Sequence, residues 1–302
     1  MKKETPLAPV LLLAFNRPEA TQIVFEQIRK ARPKRLFLHV DGPRNSEEKK
    51  SVDVVKKIIS KIDWPCKVEK LFRAENKGIT SILDAYRWFF EKVSEGIILE
   101  DDAVPSQDFF RFCSEVLKKY RDNEKIMHIS GCNFQRGWQN NSYSYYFSKY
   151  PYTYGFATWR RSWKDCDYSM KNYPSMKKQN FLSRISPYFL ERFYLKRELD
   201  HAYINKGAID TKWWFYILSR KGLTIVPNKN LVNNIGFSSN STNTKKIDSF
   251  FSVKREKMDF PIKHPPLIKL DQISDQRYAT WILKNKLKKH FLLKTRLRKF
   301  FS

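Results

Sequence analysis

The sequence predicts an α/β protein in which a mostly parallel sheet is flanked by helices. In its first half, short apolar runs alternate with amphipathic stretches, which is typical of strands joined by covering helices. Each apolar run ends in polar, Gly or Pro residues, such as Asn16-Arg17-Pro18 and Asp41-Gly42-Pro43. With 302 residues and 41% hydrophobic content, the chain is long enough for one large domain or two closely joined ones.

The predicted elements of the first half follow from this alternation. We expect strands near Val10–Phe15, Arg35–Val40, Val68–Phe72, Gly96–Leu99 and Ile126–Ser130. Helices are expected at Glu19–Lys30, Glu47–Ser60, Thr80–Val93 and Asp108–Tyr120. In open α/β sheets, ligands bind at the carboxyl ends of the strands, so the polar residues after each strand are candidate site residues.

The second half has a less regular pattern. Residues 131–173 are aromatic and polar and predict loops and short elements. A helical stretch is expected at Phe181–Asn205, followed by a helix at Thr211–Lys221 and a strand at Leu223–Val226. The segment Asn233–Asn243, rich in Asn, Ser, Thr and Gly, predicts a loop.

The charge of the chain is strongly basic. Fifty-eight Lys and Arg against 31 Asp and Glu give a formal net charge of +27, which favours phosphate-bearing partners. A nucleic-acid-binding protein is therefore one alternative. However, the sequence has no helix-turn-helix, zinc or RNA-binding signature, and carboxylates clustered at strand ends would repel a phosphate backbone. We therefore expect no nucleic-acid partner.

Cysteine spacing and hydropathy predict the setting of the protein. The four cysteines, Cys66, Cys113, Cys132 and Cys166, are widely spaced and form no CxxC pair, which favours reduced thiols in the cytoplasm. No run of about 18 apolar residues is present, so no spanning helix is predicted. We expect a soluble or peripheral protein.

The last 26 residues, 277–302, contain nine Lys or Arg and no acid, interleaved with apolar side chains. Such a basic helix suits the anionic inner face of a plasma membrane. A solvated helix packed on the body explains the pattern equally well.

The sharpest chemical signal is Glu100-Asp101-Asp102 directly after the apolar run Gly96–Leu99. Three adjacent carboxylates at the ligand end of a sheet repel one another unless a cation is bound. Mg²⁺ or Mn²⁺, which prefer oxygen ligands, would relieve this repulsion and bridge a diphosphate. A solvated acidic turn is the alternative.

Three further strand ends carry polar groups. Asp41 could accept hydrogen bonds from a base or ribose, with Arg44 near phosphate. Asn16-Arg17 follows the first strand, and Asn76-Lys77-Gly78 precedes a helix whose amides favour an anion. Turns and helix caps explain each of these motifs equally well.

Taken together, these motifs resemble the GT-A glycosyltransferases related to N-acetylglucosaminyltransferase I. The resemblance covers about residues 9–245. It continues through Pro105 with Asp108-Phe109-Phe110, His128–Asn133, Gly155–Trp159 with Trp163, and Asp210–Trp213.

The resemblance implies a Rossmann-like GT-A fold and a role for each motif. Asp102 would bind Mn²⁺ or Mg²⁺ directly, Asp101 would lie near ribose or metal, and Glu100 would lie near the donor sugar hydroxyls. Asp41 would read the uracil or ribose, and Arg17 the base or phosphate. The predicted donor-binding set is Asn16, Arg17, Asp41, Asn76, Lys77, Glu100 and Asp101.

Asp210 is the predicted catalytic base, because an inverting enzyme needs a carboxylate to take the proton of the acceptor hydroxyl. Asp210 opens a predicted helix, so capping that helix is an alternative role. Trp213 is a candidate platform for a sugar ring. Relatives carry a His in the loop matched to Ser241–Thr244, where this chain has Asn243, a weaker ligand for a divalent ion.

These inferences predict a metal-dependent, inverting glycosyltransferase using a nucleoside diphosphate sugar, with UDP as the expected nucleotide. The acceptor would be a glycan or glycolipid, in bacterial surface polysaccharide or lipopolysaccharide synthesis. Residues 1–250 would form the catalytic domain, with a donor half (1–130) and an acceptor half (131–250), and 251–302 a basic extension. An inactive scaffold that binds sugar nucleotides is a further alternative.

Overall fold

The computed structural model describes residues 5–236 and 253–298, and in the last helix the side chains up to residue 285. It confirms the predicted α/β class: a large, mostly parallel sheet lies between helices. The described residues end in a long helix, which agrees with the helical C-terminal extension expected from the sequence.

The first half alternates strands and helices as expected, with boundaries within about a residue or two of those predicted. Its elements are β1 (Val10–Ala14), α1 (Pro18–Ala31), β2 (Arg35–Val40), α2 (Ser46–Ile59), β3 (Lys67–Phe72), α3 (Ile79–Lys92), β4 (Glu95–Glu100), β5 (Ala103–Pro105), α4 (Gln107–Lys119) and β6 (Ile126–Ser130).

The second half contains shorter elements. They are β7 (Tyr145–Ser148), β8 (Phe156–Trp159), α5 (Arg160–Trp163), α6 (Tyr173–Lys178), α7 (Leu182–Ile185), α8 (Phe189–Ile204), α9 (Ile209–Ser219), β9 (Leu223–Pro227), β10 (Val232–Asn234) and α10 (Gln272–Arg298). The single helical stretch expected from Phe181 is interrupted. Ser186, which precedes Pro187, is extended at φ −143° and ψ 135°, because a residue before proline disfavours the α region.

The main sheet has eight strands in the order β3-β2-β1-β4-β8-β6-β9-β7. The strands β3, β2, β1, β4, β6 and β9 run in one direction, whereas β8 and β7 run against their neighbours. Strand β8 separates β4 from β6. The amino end of β8 therefore meets the carboxyl ends of the parallel strands at one edge of the sheet.

The core lies on both faces of this sheet. Every residue of β1 is buried, as expected for a strand covered by helices on two sides. Phe25 and Ile28 of α1 pack on one face together with α2 and α4, and Phe89 of α3 packs on the other. The centre of the sheet is therefore largely apolar.

The segment after residue 253 packs back onto the α/β domain. Arg255 donates to the carbonyl oxygen of Pro105 at 2.7 Å, and Met258 N–H donates to Asp108 at 3.0 Å. The start of α10 is held by buried Tyr278 and Ile282. The boundary predicted at residue 250 lies outside the described residues and stays a prediction. Within the described residues, no helix combines the length and apolar character needed to cross a membrane.

Candidate functional site

A cavity of about 340 Å³ opens at the carboxyl edge of the sheet. Six residues of the predicted catalytic and donor-binding set line it: Arg17, Asp41, Asn76, Glu100, Asp101 and Asp210. They come from five separate parts of the chain, so the fold gathers them at one place. Asn16, Lys77 and the predicted metal ligand Asp102 are not among the lining residues.

The sheet topology explains why these residues meet. Arg17 follows β1, Asp41 follows β2, and Glu100 ends β4, three neighbouring parallel strands whose carboxyl ends coincide. Helix α9 leads into β9, which runs parallel to β6. The first turn of α9, which carries Asp210, therefore lies at the same edge.

Arg17 joins the two aspartates of the acidic triplet. Its Nη1 lies 2.7 Å from Oδ2 of Asp102, and its Nη2 donates to Oδ1 of Asp101. The other oxygen of Asp101 accepts from the N–H of Phe15 at 3.1 Å. Burial raises the pKa of Asp101 to about 6, although Arg17 opposes the rise. The guanidinium thus supplies a cation where the sequence predicted a metal ion.

Asp102 nevertheless keeps one free ligand position. Its Oδ1 is buried and has no hydrogen-bond partner in the described part of the chain. A buried carboxylate oxygen without a partner is unusual, and such an oxygen could serve as a ligand for a divalent cation. Because the described residues include no group of three or more His, Cys, Asp or Glu side chains arranged for a metal, Asp102 would need ligands from elsewhere.

The backbone at Gly236 lies directly against Asp102 and Arg17. The N–H of Ile235 donates to the carbonyl oxygen of Asp102 at 2.9 Å, which brings the end of β10 over the triplet. A Cβ on Gly236 would lie only 2.1 Å from Oδ2 of Asp102 and 3.1 Å from Nη1 of Arg17. The absence of a side chain here is what allows the close approach of the backbone. Ser241–Thr244, including Asn243, lie outside the described residues.

Asp41 is held by backbone amides from the start of α3. Its carboxylate accepts from the N–H groups of Lys77 at 3.1 Å and Gly78 at 2.9 Å. Asn76 donates to the carbonyl oxygen of Gly42 at 2.8 Å. Lys77 therefore contributes its backbone amide to the positioning of Asp41. Asn16 turns towards α2 and donates to Glu48 at 3.0 Å.

Glu100 and Asp210 both line the cavity, where Glu100 is half-buried and Asp210 is exposed. Desolvation, followed by the charges of Asp102 and Asp210, raises the pKa of Glu100 well above its usual value. Desolvation also raises the pKa of Asp210, whose carboxyl accepts a hydrogen bond from Thr153. Both carboxyls are therefore biased towards holding a proton, and a group near its pKa can exchange one with a ligand.

The alternative capping role of Asp210 is not observed. Helix α9 begins at Ile209, its N-cap is Ala208, and no side chain caps it through a hydrogen bond. Asp210 lies inside the first turn, with its carboxyl in the cavity. The helix start therefore fixes the position of Asp210 without consuming its carboxylate.

Some lining residues were not identified from the sequence. His39 is buried on β2, shares a hydrogen bond with Ser81 at 2.8 Å and also lines the cavity. Burial lowers the pKa of His39 to about 4. Ile79 and Ile82 of α3 add apolar surface. The position of His39, two residues before Asp41 on the same strand face, was an available signal.

The interpretation of Trp213 as a sugar platform is wrong. This side chain is 4% exposed, donates from Nε1 to Nδ1 of His128 at 3.2 Å and stacks on Tyr216. Helix α9 is apolar nearly all round, so its first tryptophan faces the interior. Trp159 donates from Nε1 to the carbonyl oxygen of Leu117 at 3.3 Å, and Trp163 stacks on Phe90, so both have structural contacts.

Comparison with known proteins does not assign this chain to a family. No family model matches the sequence, and no curated protein matches it. A solved structure of an active-site mutant of LgtC is similar over 81% of this chain and 84% of that chain, at 11% identity and a TM-score of 0.34. A likeness at this level does not assign an activity, so the functional argument rests on the cavity.

Proposed function

We propose that this protein is a glycosyltransferase that transfers a hexose or N-acetylhexosamine from a nucleoside diphosphate sugar to an acceptor hydroxyl. The observation that carries the proposal is the cavity at the carboxyl edge of the sheet. It combines arginines suited to a diphosphate with carboxylates suited to a sugar and to proton transfer.

The donor would lie across the ends of β1, β2 and β4. Arg17 and Arg44 line the cavity and offer guanidinium groups, which bind phosphate through paired hydrogen bonds. Asp41, fixed by the amides of Lys77 and Gly78, would accept from the base or ribose. UDP is the nucleotide that the sequence resemblance favours.

A divalent ion fits beside Asp102. The Oδ1 atom of Asp102 is the buried oxygen without a partner, and Asp101 lies next to it along the chain. Mn²⁺ or Mg²⁺ at this position would stabilise the negative charge that develops on the departing diphosphate. Arg17, already paired with both aspartates, would share that task.

Asp210 would act as the base of an inverting transfer. Its carboxylate takes the proton of the acceptor hydroxyl as the oxygen attacks the anomeric carbon, and the bond to the diphosphate breaks on the opposite face. The hydrogen bond from Thr153 orients the carboxyl. Glu100, on the floor of the cavity, would hold the donor sugar hydroxyls.

The acceptor class and setting are extensions of this proposal. A glycan or glycolipid acceptor in bacterial surface polysaccharide or lipopolysaccharide synthesis is what the sequence resemblance favours. The net charge of +27 supports a partner or surface that is anionic, such as the inner face of the plasma membrane.

The test is a donor screen with UDP, GDP, dTDP and CMP sugars, each with and without Mn²⁺, by calorimetry and donor consumption. The wild type is compared with Asp102→Ala and with Asp63→Ala, which removes an exposed aspartate paired with Arg29. We expect one nucleotide class to bind with Mn²⁺, and this binding to be lost only in Asp102→Ala.

The remaining outcomes discriminate between the alternatives. Failure of every sugar nucleotide to bind would overturn the proposal. Binding without consumption of donor, in the presence of a range of glycan acceptors, would favour an inactive scaffold. Salt-sensitive binding of arbitrary DNA together with no binding of sugar nucleotides would favour a nucleic-acid-binding protein.

A further inference from the structure

A second cavity, of about 450 Å³, lies between the loop after β6 and the first turns of α10. Its lining contains three basic side chains, Arg136, Arg277 and Lys284, and two indoles, Trp138 and Trp281. None of the residues that line it is an acid. We call it the basic cavity.

Two of its three basic side chains lie over its indole rings. The guanidinium of Arg136 stands 5.2 Å from the ring centre of Trp281, and that of Arg277 stands 4.9 Å from the ring centre of Trp138. These cation–π contacts fix long side chains that would otherwise lose conformational freedom on binding an anion. The pairs cross the cavity, since each joins the loop to the helix.

The face of α10 that lines the basic cavity is continuous. Arg277, Trp281 and Lys284 recur at the helical spacing that places residues on one side of a helix. Beneath them, Tyr278 and Phe134 are buried and stacked with ring centres 6.2 Å apart. The floor is therefore rigid and apolar, and the rim is charged.

The loop that carries Arg136 is strained. Arg136 has φ 55° and Gly137 has φ 81°, two successive residues in the left-handed region. Only the second is glycine, so the conformation at Arg136 is unfavourable for its side chain and persists because the surroundings hold it. This conformation places Arg136 opposite Trp281.

The basic cavity is separate from the first cavity but near it. Phe134 packs on Tyr152 and Tyr154, with ring centres 4.8 and 6.3 Å away. Desolvation, followed by Cys132 and then by Asp210 and Glu100 of the first cavity, raises the pKa of Tyr154. Phe134, which lines the basic cavity, is therefore packed against aromatic side chains on the side away from α10.

We propose that the basic cavity binds a phosphate group attached to an apolar or planar body. The Arg and Lys side chains would take the phosphate, and Trp138 and Trp281 would take the attached body. The phosphate can belong to a soluble phosphate ester or to the headgroup of an anionic lipid. The proposal does not depend on the donor site, because the two cavities share no lining residue.

The test uses the full chain and a double variant, Arg277→Gln with Lys284→Gln. Its matched control, Lys30→Gln with Lys57→Gln, removes the same net charge from exposed positions on α1 and α2. Binding of monomeric dihexanoylphosphatidic acid and of phenyl phosphate is measured by calorimetry. Binding to phosphatidylcholine vesicles, with and without phosphatidylglycerol, is measured by co-sedimentation.

We expect the double variant to weaken binding of at least one probe by about tenfold or more, while the control stays within about twofold of wild type. If the double variant loses binding of the soluble probes, the ligand class is a phosphate ester. If it loses only binding to vesicles, the ligand is a lipid headgroup. Both variants keep the basic residues elsewhere on α10. The attraction of those residues to anions is therefore the same in both variants and does not affect the comparison between them.

Three results would overturn the proposal. They are no binding of any probe to wild type, equal weakening in both variants, or a double variant that binds like wild type. Replacing Trp138 by Leu provides an independent check, since it leaves the charge unchanged. It should weaken binding of phenyl phosphate more than binding of inorganic phosphate. Sugar-nucleotide binding is measured alongside, so failure here is distinguishable from failure of the donor site.

Discussion

The Nη1 atom of Arg17 lies 2.7 Å from Oδ2 of Asp102, so the strongest candidate metal ligand already has an internal cation beside it. Arg17 also pairs with Asp101, and its side chain is 26% exposed. The guanidinium and a divalent ion would compete for the same two carboxylates. Metal binding is therefore coupled to the position of Arg17, which the diphosphate of a donor could attract away.

Arg17→Gln should increase the affinity for Mn²⁺ in the absence of nucleotide by roughly tenfold, because Asp101 and Asp102 lose their competing cation. Calorimetric titration with MnCl₂ measures this directly. Arg29→Gln, which breaks an exposed pair with Asp63, serves as control and should leave Mn²⁺ binding unchanged. Unchanged or weaker Mn²⁺ binding in Arg17→Gln would contradict the competition.

Gly236→Ala should disrupt the acidic group without unfolding the protein. The new Cβ would lie 2.1 Å from Oδ2 of Asp102, so the aspartate, Arg17 or the end of β10 must move. We expect donor affinity to fall by roughly tenfold or more, as for a displaced charged contact. Gly137→Ala is the matched control, since Gly137 does not line the donor cavity and its Cβ would meet no atom within 4 Å. Equal donor affinity in both variants would show that Gly236 is not critical.

Asp210→Asn should lower kcat by about a hundredfold to ten-thousandfold with little change in donor affinity, as expected for loss of a general base. In the wild type, activity should fall with decreasing pH as Asp210 gains a proton. Because the pKa of Asp210 is raised, this fall should begin above the usual aspartate range. Steady-state kinetics against pH, with Asp63→Asn as control, tests both expectations. Full activity in Asp210→Asn would exclude the assigned role.

His128 should contribute to loss of stability in acid. It is buried between Tyr152 and Trp213, and burial lowers its pKa from 6.5 to about 3. Since only the unfolded chain readily takes up the proton, its contribution is complete above pH 6.5 and is lost as pH falls towards 3. In His128→Gln, the drop in unfolding free energy between about pH 7.5 and about pH 5.5 should shrink by about 1.4 kcal/mol.

Urea unfolding at the two pH values measures the change. The His128→Gln variant is expected to be less stable than wild type at the higher pH, because the hydrogen bonds to Tyr152 and Trp213 are altered. The decisive quantity is therefore the difference between the two pH values within each protein. An identical difference in variant and wild type would refute the assignment to His128.

Lys149→Met should destabilise the fold by about 3 kcal/mol, because it leaves the carboxylate of Glu191 buried without its cation. The two side chains are 7% and 3% exposed and lie 3.0 Å apart. Lys49→Met, which breaks an exposed pair with Asp53, should cost less than about 0.5 kcal/mol. Urea unfolding compares the two variants. Similar losses would mean that the buried pair contributes no more than a surface one.

The alternating half of the fold can be predicted from the pattern of apolar and polar residues alone. The apolar runs at Val10 and Ile97 are long enough to fill a strand that is covered on both faces, and so they predict the strands. The polar residues that follow these runs predict the edge of the sheet where ligands bind. The approach of Arg17, Asp41 and Glu100 follows from parallel neighbouring strands, whose ends coincide. Local pattern and chain topology were sufficient for these residues.

The second half of the fold depends on packing between segments that are distant in the chain. Strands β7 and β8 are four residues long and lie in an aromatic region, so the alternation that marks a strand was too short to read. Whether Trp213 faced the cavity or the core depended on the packing around α9, which carries apolar residues on all sides. The meeting of Asp210 with Glu100 and the basic cavity beside α10 likewise required distant segments to pack together, because side-chain contacts between them leave no periodic signal in the sequence.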